Sequence, residues 1–151
     1  KLIAKNPFVI ACLPKLDSFD KIYDLITSII KDNSFDLRKC IKIEMQSLGF
    51  NLKYVGSIYL LECIMWIYFH PEAFNNLERN VYSIIADKEK KSVFTIKSNI
   101  LKCINHMYME TDFNKIREYF SLHYDTRPTP KVVIMAILNH ISNNYSFFRF
   151  A

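Results

Sequence analysis

Among its 151 residues the chain has only two glycines, Gly49 and Gly56, and that scarcity excludes a whole class of chemistry. A loop that wraps a phosphate in backbone N–H groups needs several glycines close together. The cysteines are equally uninviting. Cys12, Cys40, Cys63 and Cys103 lie far apart with no CxxC pair, so neither a zinc site nor a disulfide framework is expected. Cys63 and Cys103 fall on apolar helical faces and read as reduced, buried thiols. His70, His106, His123 and His140 show no metal-ligand spacing. No nucleophile stands beside a recognisable base, and no carboxylates pair at a usable distance along the chain, so no enzymatic activity, cofactor or metal is expected.

Long hydrophobic runs are missing too. None approaches the roughly 18 residues that would suggest a membrane span, and the first residues carry no signal-peptide pattern. The expectation is a cytoplasmic chain with no membrane partner. It opens on Lys1 in place of Met, as a fragment would. There are no internal repeats and no low-complexity segments.

Half of the residues are hydrophobic, recurring at helical spacing with little strict alternation, which predicts an all-α fold, a compact multi-helix bundle. Residues 1–16 hold an apolar run between Pro7 and Pro14 and read as an N-terminal arm or linker. Asp17 or Ser18 can cap a helix to about Lys31 with Ile22, Leu25, Ile26 and Ile29 inward. Asp32-Asn33-Ser34 is expected to break the chain and cap a second helix, about 35–48, ending at Gly49 in the left-handed C′ position. Residues 54–69 are apolar nearly all round and read as the central helix. Glu62 is the one charged residue there, expected to be a partly buried carboxylate bonded to a neighbour.

Thr111 or Asp112 can start a short helix through about Phe120. Pro130 suits the first turn of a last helix, about 130–142, with Val132, Val133, Ile137 and Ile141 inward. The tail 145–151 is aromatic: Phe147, Phe148 and Phe150 would cover a groove on this chain or on a partner.

The net charge of +5 is unevenly spread. Residues 76–106 hold six Lys/Arg against three Asp/Glu, the largest local excess, which favours a polyanionic partner. This stretch reads as two helices joined by a lysine-rich turn. The first, about Asn76 to Asp87, would bury Leu77, Val81, Ile84 and Ile85. Lys88, Lys90 and Lys91 fill the join, and Ser92 can cap the second helix. On that helix Val93, Ile96, Ile100, Cys103, Ile104 and Met107 share one side, with Thr95, Ser98, Lys102 and Asn105 opposite. Polar side chains on a free face can read base edges while lysines in the turn neutralise phosphates, as in a helix-turn-helix on double-stranded DNA. A solvated bundle helix would present the same pattern.

Residues 45–116 resemble the DNA-binding effector domain of the stage-zero A protein family, the response regulators of sporulation initiation. The likeness rests on Leu48-Gly49-Phe50, on Gly56, Tyr59-Leu60, Glu62 and Ile64, on Tyr68 and Glu72, on Tyr82, Ile85-Ala86 and Lys88, and on Ile100, Ile104 and Ile116. Residues 127–137, RPTPKVVIMAI, look like the closing segment of that family. The resemblance implies an effector domain over 48–144 and a transcription regulator of helix-turn-helix type. Of the N-terminal helices in 17–47 the second is expected to pack on that domain, while the first has no counterpart in the family and is open to being a dimerising element, a docking surface or the remainder of another domain. The resemblance also exposes a departure. The family's outward recognition face carries a Glu-Arg pair and a further Arg, where matching positions here hold Lys97, Ser98 and Leu101. Serine and leucine cannot copy the bidentate contact of arginine with guanine, so the family's operator is not carried over. Thr95, Lys97, Ser98 and Lys102 are the candidate base or groove contacts, and Lys88, Lys90 and Lys91 the candidate phosphate contacts. Residues 1–47 are too short for a receiver domain of ordinary size, so phosphorylation control is not carried over either. The other reading is a degenerate effector-like domain that no longer reads DNA and works through protein contacts, as a homodimer or with a partner bound through the N-terminal helix or the aromatic tail.

Overall fold

The computed structural model describes residues 19–121 and 126–145, and no strand occurs among them. The expected arm at 1–16 and the aromatic tail beyond Tyr145 lie outside the described residues, as do Cys12 and His123. Contacts divide the chain into two compact units, residues 1–37 and 38–151.

Helix α1 runs from Phe19 to Ser47 without a break, which corrects the interruption expected at Asp32-Asn33-Ser34. Asp, Asn and Ser cost a helix interior only a few tenths of a kcal/mol each, and no Gly or Pro is present to end it. In the first unit Ile26 is exposed, and Ile22, Leu25 and Ile29 are only half-buried, so the stripe expected to point inward is incompletely covered.

The second unit begins with the last turns of α1, where Ile41 and Met45 are fully buried. The helix ends as expected. Gly49 takes φ +93, its N–H bonds the Gln46 carbonyl at 3.0 Å, and the Phe50 N–H reaches back to the Met45 carbonyl at 3.0 Å, closing a Schellman motif. Thr111 Oγ1 donates to the Leu48 carbonyl at 2.7 Å, so a side chain at Gly49 would meet that hydroxyl as well as a left-handed backbone.

Helix α2, Val55–Phe69, is the apolar centre. Leu60, Ile64 and Ile67 are fully buried, each contributing about 1.5–3 kcal/mol relative to exposure. Proline disfavours helical geometry in the residue before it, and His70 accordingly leaves the helix at φ −133 before the 3-10 turn Pro71–Asn75. A π-helical turn, Glu78–Tyr82, leads directly into α3, Ser83–Glu89. After α4, Val93–Glu110, come α5, Phe113–Phe120, and α6, Pro130–Asn144.

Helix α5 starts at the expected Asp112 and α6 at the expected Pro130, where Thr129 adds a cap. Asp112 accepts from the N–H groups of Asn114 and Lys115, and Thr129 accepts from Val132 with Pro130 in the first turn. On α6, Val133, Ile137 and Ile141 are buried together with Ile134 and Leu138, while Val132 is only half-buried. Tyr119 Oη donates to Glu44 at 2.8 Å, joining α5 to the end of α1.

Candidate nucleic-acid interface

The π-helical turn sets the phase of the first hairpin helix. Ser83 N–H bonds the Glu78 carbonyl five residues back, adding a residue to that turn and shifting the wheel for everything after it. Leu77, Val81 and Ile85 are buried as expected, but Ile84 is 37% exposed and Tyr82 and Ala86 take the inward positions. A wheel of constant 3.6-residue pitch cannot anticipate that shift.

The join is a second Schellman motif, built without glycine. Lys90 adopts the left-handed conformation, φ 53 and ψ 45, and the Lys91 N–H bonds the Ala86 carbonyl at 2.9 Å. Holding a side chain there costs about 1 kcal/mol. Both lysines are exposed, and neither has a side-chain partner among the described residues. Lys88 differs, because its ammonium lies 3.6 Å from Glu62 Oε2 on α2, and Glu62 Oε1 accepts from Arg38 Nη1 at 2.6 Å. Burial alone would raise the Glu62 carboxyl, but the Arg38 hydrogen bond and the charges of Arg38 and Lys88 outweigh it and hold the group below its ordinary value. Lys88 is thus half committed to the scaffold.

Ser92 caps α4, its Oγ accepting from the Thr95 N–H at 3.1 Å. Ile96, Ile100, Cys103, Ile104 and Met107 are buried and Val93 is half-buried, so the inward stripe is the predicted one. Its seat is close. A methyl group on Gly56 would come within 2.1 Å of the Asn99 carbonyl oxygen, so α2 and α4 cross at a distance that only glycine permits there. Cys63 and Cys103 are free buried thiols, and burial pushes the Cys103 thiol up to about 12 and Cys63 higher still.

The outward stripe is less uniform than its pattern. Thr95 Oγ1 lies 2.8 Å from Ser92 Oγ, turned back into the cap. Lys97 is ion-paired with Glu78 across the hairpin. Ser98 is half-exposed and Lys102 exposed, and neither side chain has a partner among the described residues. Phe94 is 78% exposed at the start of the stripe. Along it, Phe94, Lys97, Ser98, Leu101, Lys102 and Asn105 line a shallow groove of about 420 Å³, closed at its far end by Arg127. Arg127 Nη1 donates to Asn105 Oδ1 at 3.0 Å. Lys97, Ser98 and Lys102 are therefore brought to one groove, whereas Thr95 serves the cap and the three turn lysines sit beyond it. Arg127 carries no sequence signal beyond being the basic residue that opens the RPTP step.

Two packed helices, a tight join and an outward cationic stripe on the second define an all-α domain of helix-turn-helix type. The chain belongs to the family described as sporulation initiation factor Spo0A C terminal, whose model matches residues 41–141. It is a family of sporulation-related DNA-binding effector domains. A comparison with curated proteins gives no match. No helix among the described residues is long and apolar enough to cross a membrane.

Proposed function

We propose that this chain is a sequence-specific DNA-binding transcription regulator that lays α4 in the major groove. The observation that carries the reading is the division of labour on α4: its inner stripe is consumed by packing, while Lys97, Ser98 and Lys102 line an open groove beside a turn bearing Lys90 and Lys91. Lys90 and Lys91 are the primary phosphate contacts. Lys88 contributes more weakly because Glu62 shares its charge. Lys97, Ser98 and Lys102 contact base edges or groove walls, and Thr95 supports the cap through its hydrogen bond with the Ser92 hydroxyl. Phosphate neutralisation supplies most of the affinity, which therefore falls steeply with salt. Selecting genomic fragments with the purified protein and sequencing them is the direct test. Enrichment of a common short sequence is the expected result, and recovery that mirrors the input would refute sequence-specific reading.

A second reading is supported by Phe94, the ring most exposed on α4, and by the Lys97–Glu78 pair, which removes a cation from the recognition face. In that reading the domain has kept the scaffold and uses the groove for protein contacts. Absence of saturable DNA binding at both low and moderate salt would favour it.

A further inference from the structure

We infer that Arg127, held by Asn105, is a phosphate clamp that extends the DNA footprint beyond the helix-turn-helix to the segment preceding α6. The inference rests on the DNA-binding reading and adds a residue outside the hairpin to it.

Three features place it. The first is position. Pro128 is buried and Thr129 caps α6, so the backbone next to Arg127 is fixed on both counts while its own side chain remains exposed. The second is hydrogen-bonding capacity. A guanidinium carries five N–H donors, and Asn105 Oδ1 accepts from one nitrogen at 3.0 Å, which restrains the side chain and uses only part of that capacity at the edge of the groove. Asn105 is a positioning residue here, and it also keeps its own amide donors for an acceptor on the ligand.

The third is distance, which decides between a base and a phosphate. Asn105 lies eight residues beyond Lys97 on α4, about 12 Å at 1.5 Å per residue. Helix-turn-helix proteins lay the recognition helix in the major groove and contact bases with its N-terminal residues, so a residue about 12 Å further along lies past the base contacts. With Lys97 and Ser98 over the base edges, Arg127 stands at the wall of the groove, where the acceptors are phosphate oxygens. Arg127 shares the groove with Lys97 and Lys102, and none of the described residues that line it is a carboxylate. Glu78 faces Lys97 from the other side of the hairpin.

The test measures binding of the full chain to its selected fragments and to a random-sequence duplex by fluorescence anisotropy across a salt series, for wild type, Arg127→Ala and Arg127→Lys. Arg127→Ala should weaken binding to both duplexes by the same factor, about three- to tenfold, and lower the slope of log K against log salt by about 0.9, one phosphate contact. Arg127→Lys should restore most of the slope, because a phosphate accepts a point charge. An unchanged slope in Arg127→Ala overturns the clamp. So does a loss confined to the selected sequence and not restored by lysine, which would make Arg127 a base reader. Lack of saturable binding by wild type refutes the DNA-binding reading itself and the clamp with it, whereas wild-type binding with an unaffected Arg127→Ala refutes the clamp alone.

Discussion

The two faces of α4 obey different rules. Inward, Ile96, Ile100, Ile104 and Met107 are fully buried, and the helix lies so near α2 that Gly56 has no room for a methyl group. Outward, the side chains are a mixture of lysines, serine, threonine, leucine and an exposed phenylalanine, with Lys97 tied to Glu78 and Thr95 turned into the cap. The inner face fixes where the helix sits; the outer face decides what it meets. Scaffold and specificity can therefore change independently.

Breaking the inner face should have the largest effect. In Gly56→Ala the new methyl meets the backbone oxygen of Asn99, which cannot rotate away, so the helices must separate at a cost of about 3 kcal/mol. Chemical denaturation should show that loss. An unchanged midpoint would mean that the close approach is not required.

The Arg38–Glu62–Lys88 cluster links the scaffold to the turn, and its effect should be intermediate. Glu62→Gln should cost about 1–2 kcal/mol at neutral pH, since a charge-assisted hydrogen bond is lost while the half-exposed Arg38 can still hydrate. The sign with pH follows from the depressed Glu62 pKa. Its stabilisation is complete above the ordinary value of 4.5 and is lost as pH falls through the lower folded-state value. Wild type and Glu62→Gln should therefore converge in stability as the solution is acidified below about 4.5, in denaturation measured across pH. A constant gap would contradict the assigned partners.

Lys90→Gly tests the join with the opposite sign. Relief of the left-handed side chain should stabilise the fold by about 1 kcal/mol, read in the same denaturation assay, even as the missing charge weakens DNA binding. Glu78→Gln sharpens the outer face and should move stability least, by less than about 1 kcal/mol for an exposed pair. It frees Lys97 and removes a negative charge, so DNA affinity should rise. A fall would mean that Glu78 holds Lys97 in its binding position.

How much of this was legible in the sequence differs by region. The caps at Ser92 and Asp112, the proline that opens α6 and the glycine at the end of α1 are local signals, and each appears where its chemistry places it. The buried stripe of α4 follows from regular pitch. Ile84 does not, because the π-helical turn changes the phase, and the continuity of α1 does not, because Asp, Asn and Ser in a row carry the same signal inside a helix as at its end. On the outer face, the ion pair between Lys97 and Glu78 and the hydrogen bond between Asn105 and Arg127 join residues 19 and 22 positions apart. Spacing on one helix contains no information about such pairs.

The central claim is that the outer face and the turn bind the phosphates and bases of DNA, and it is tested most directly at the two turn lysines that have no partner among the described residues. An anisotropy titration across a salt series, with wild type and the double variant Lys90→Ala/Lys91→Ala, measures it. The account predicts saturable wild-type binding that weakens steeply with salt, and a double variant that binds less tightly with a slope shallower by about 1.8, two phosphate contacts at 0.9 each. Equal affinity and equal slope in the two proteins would contradict it.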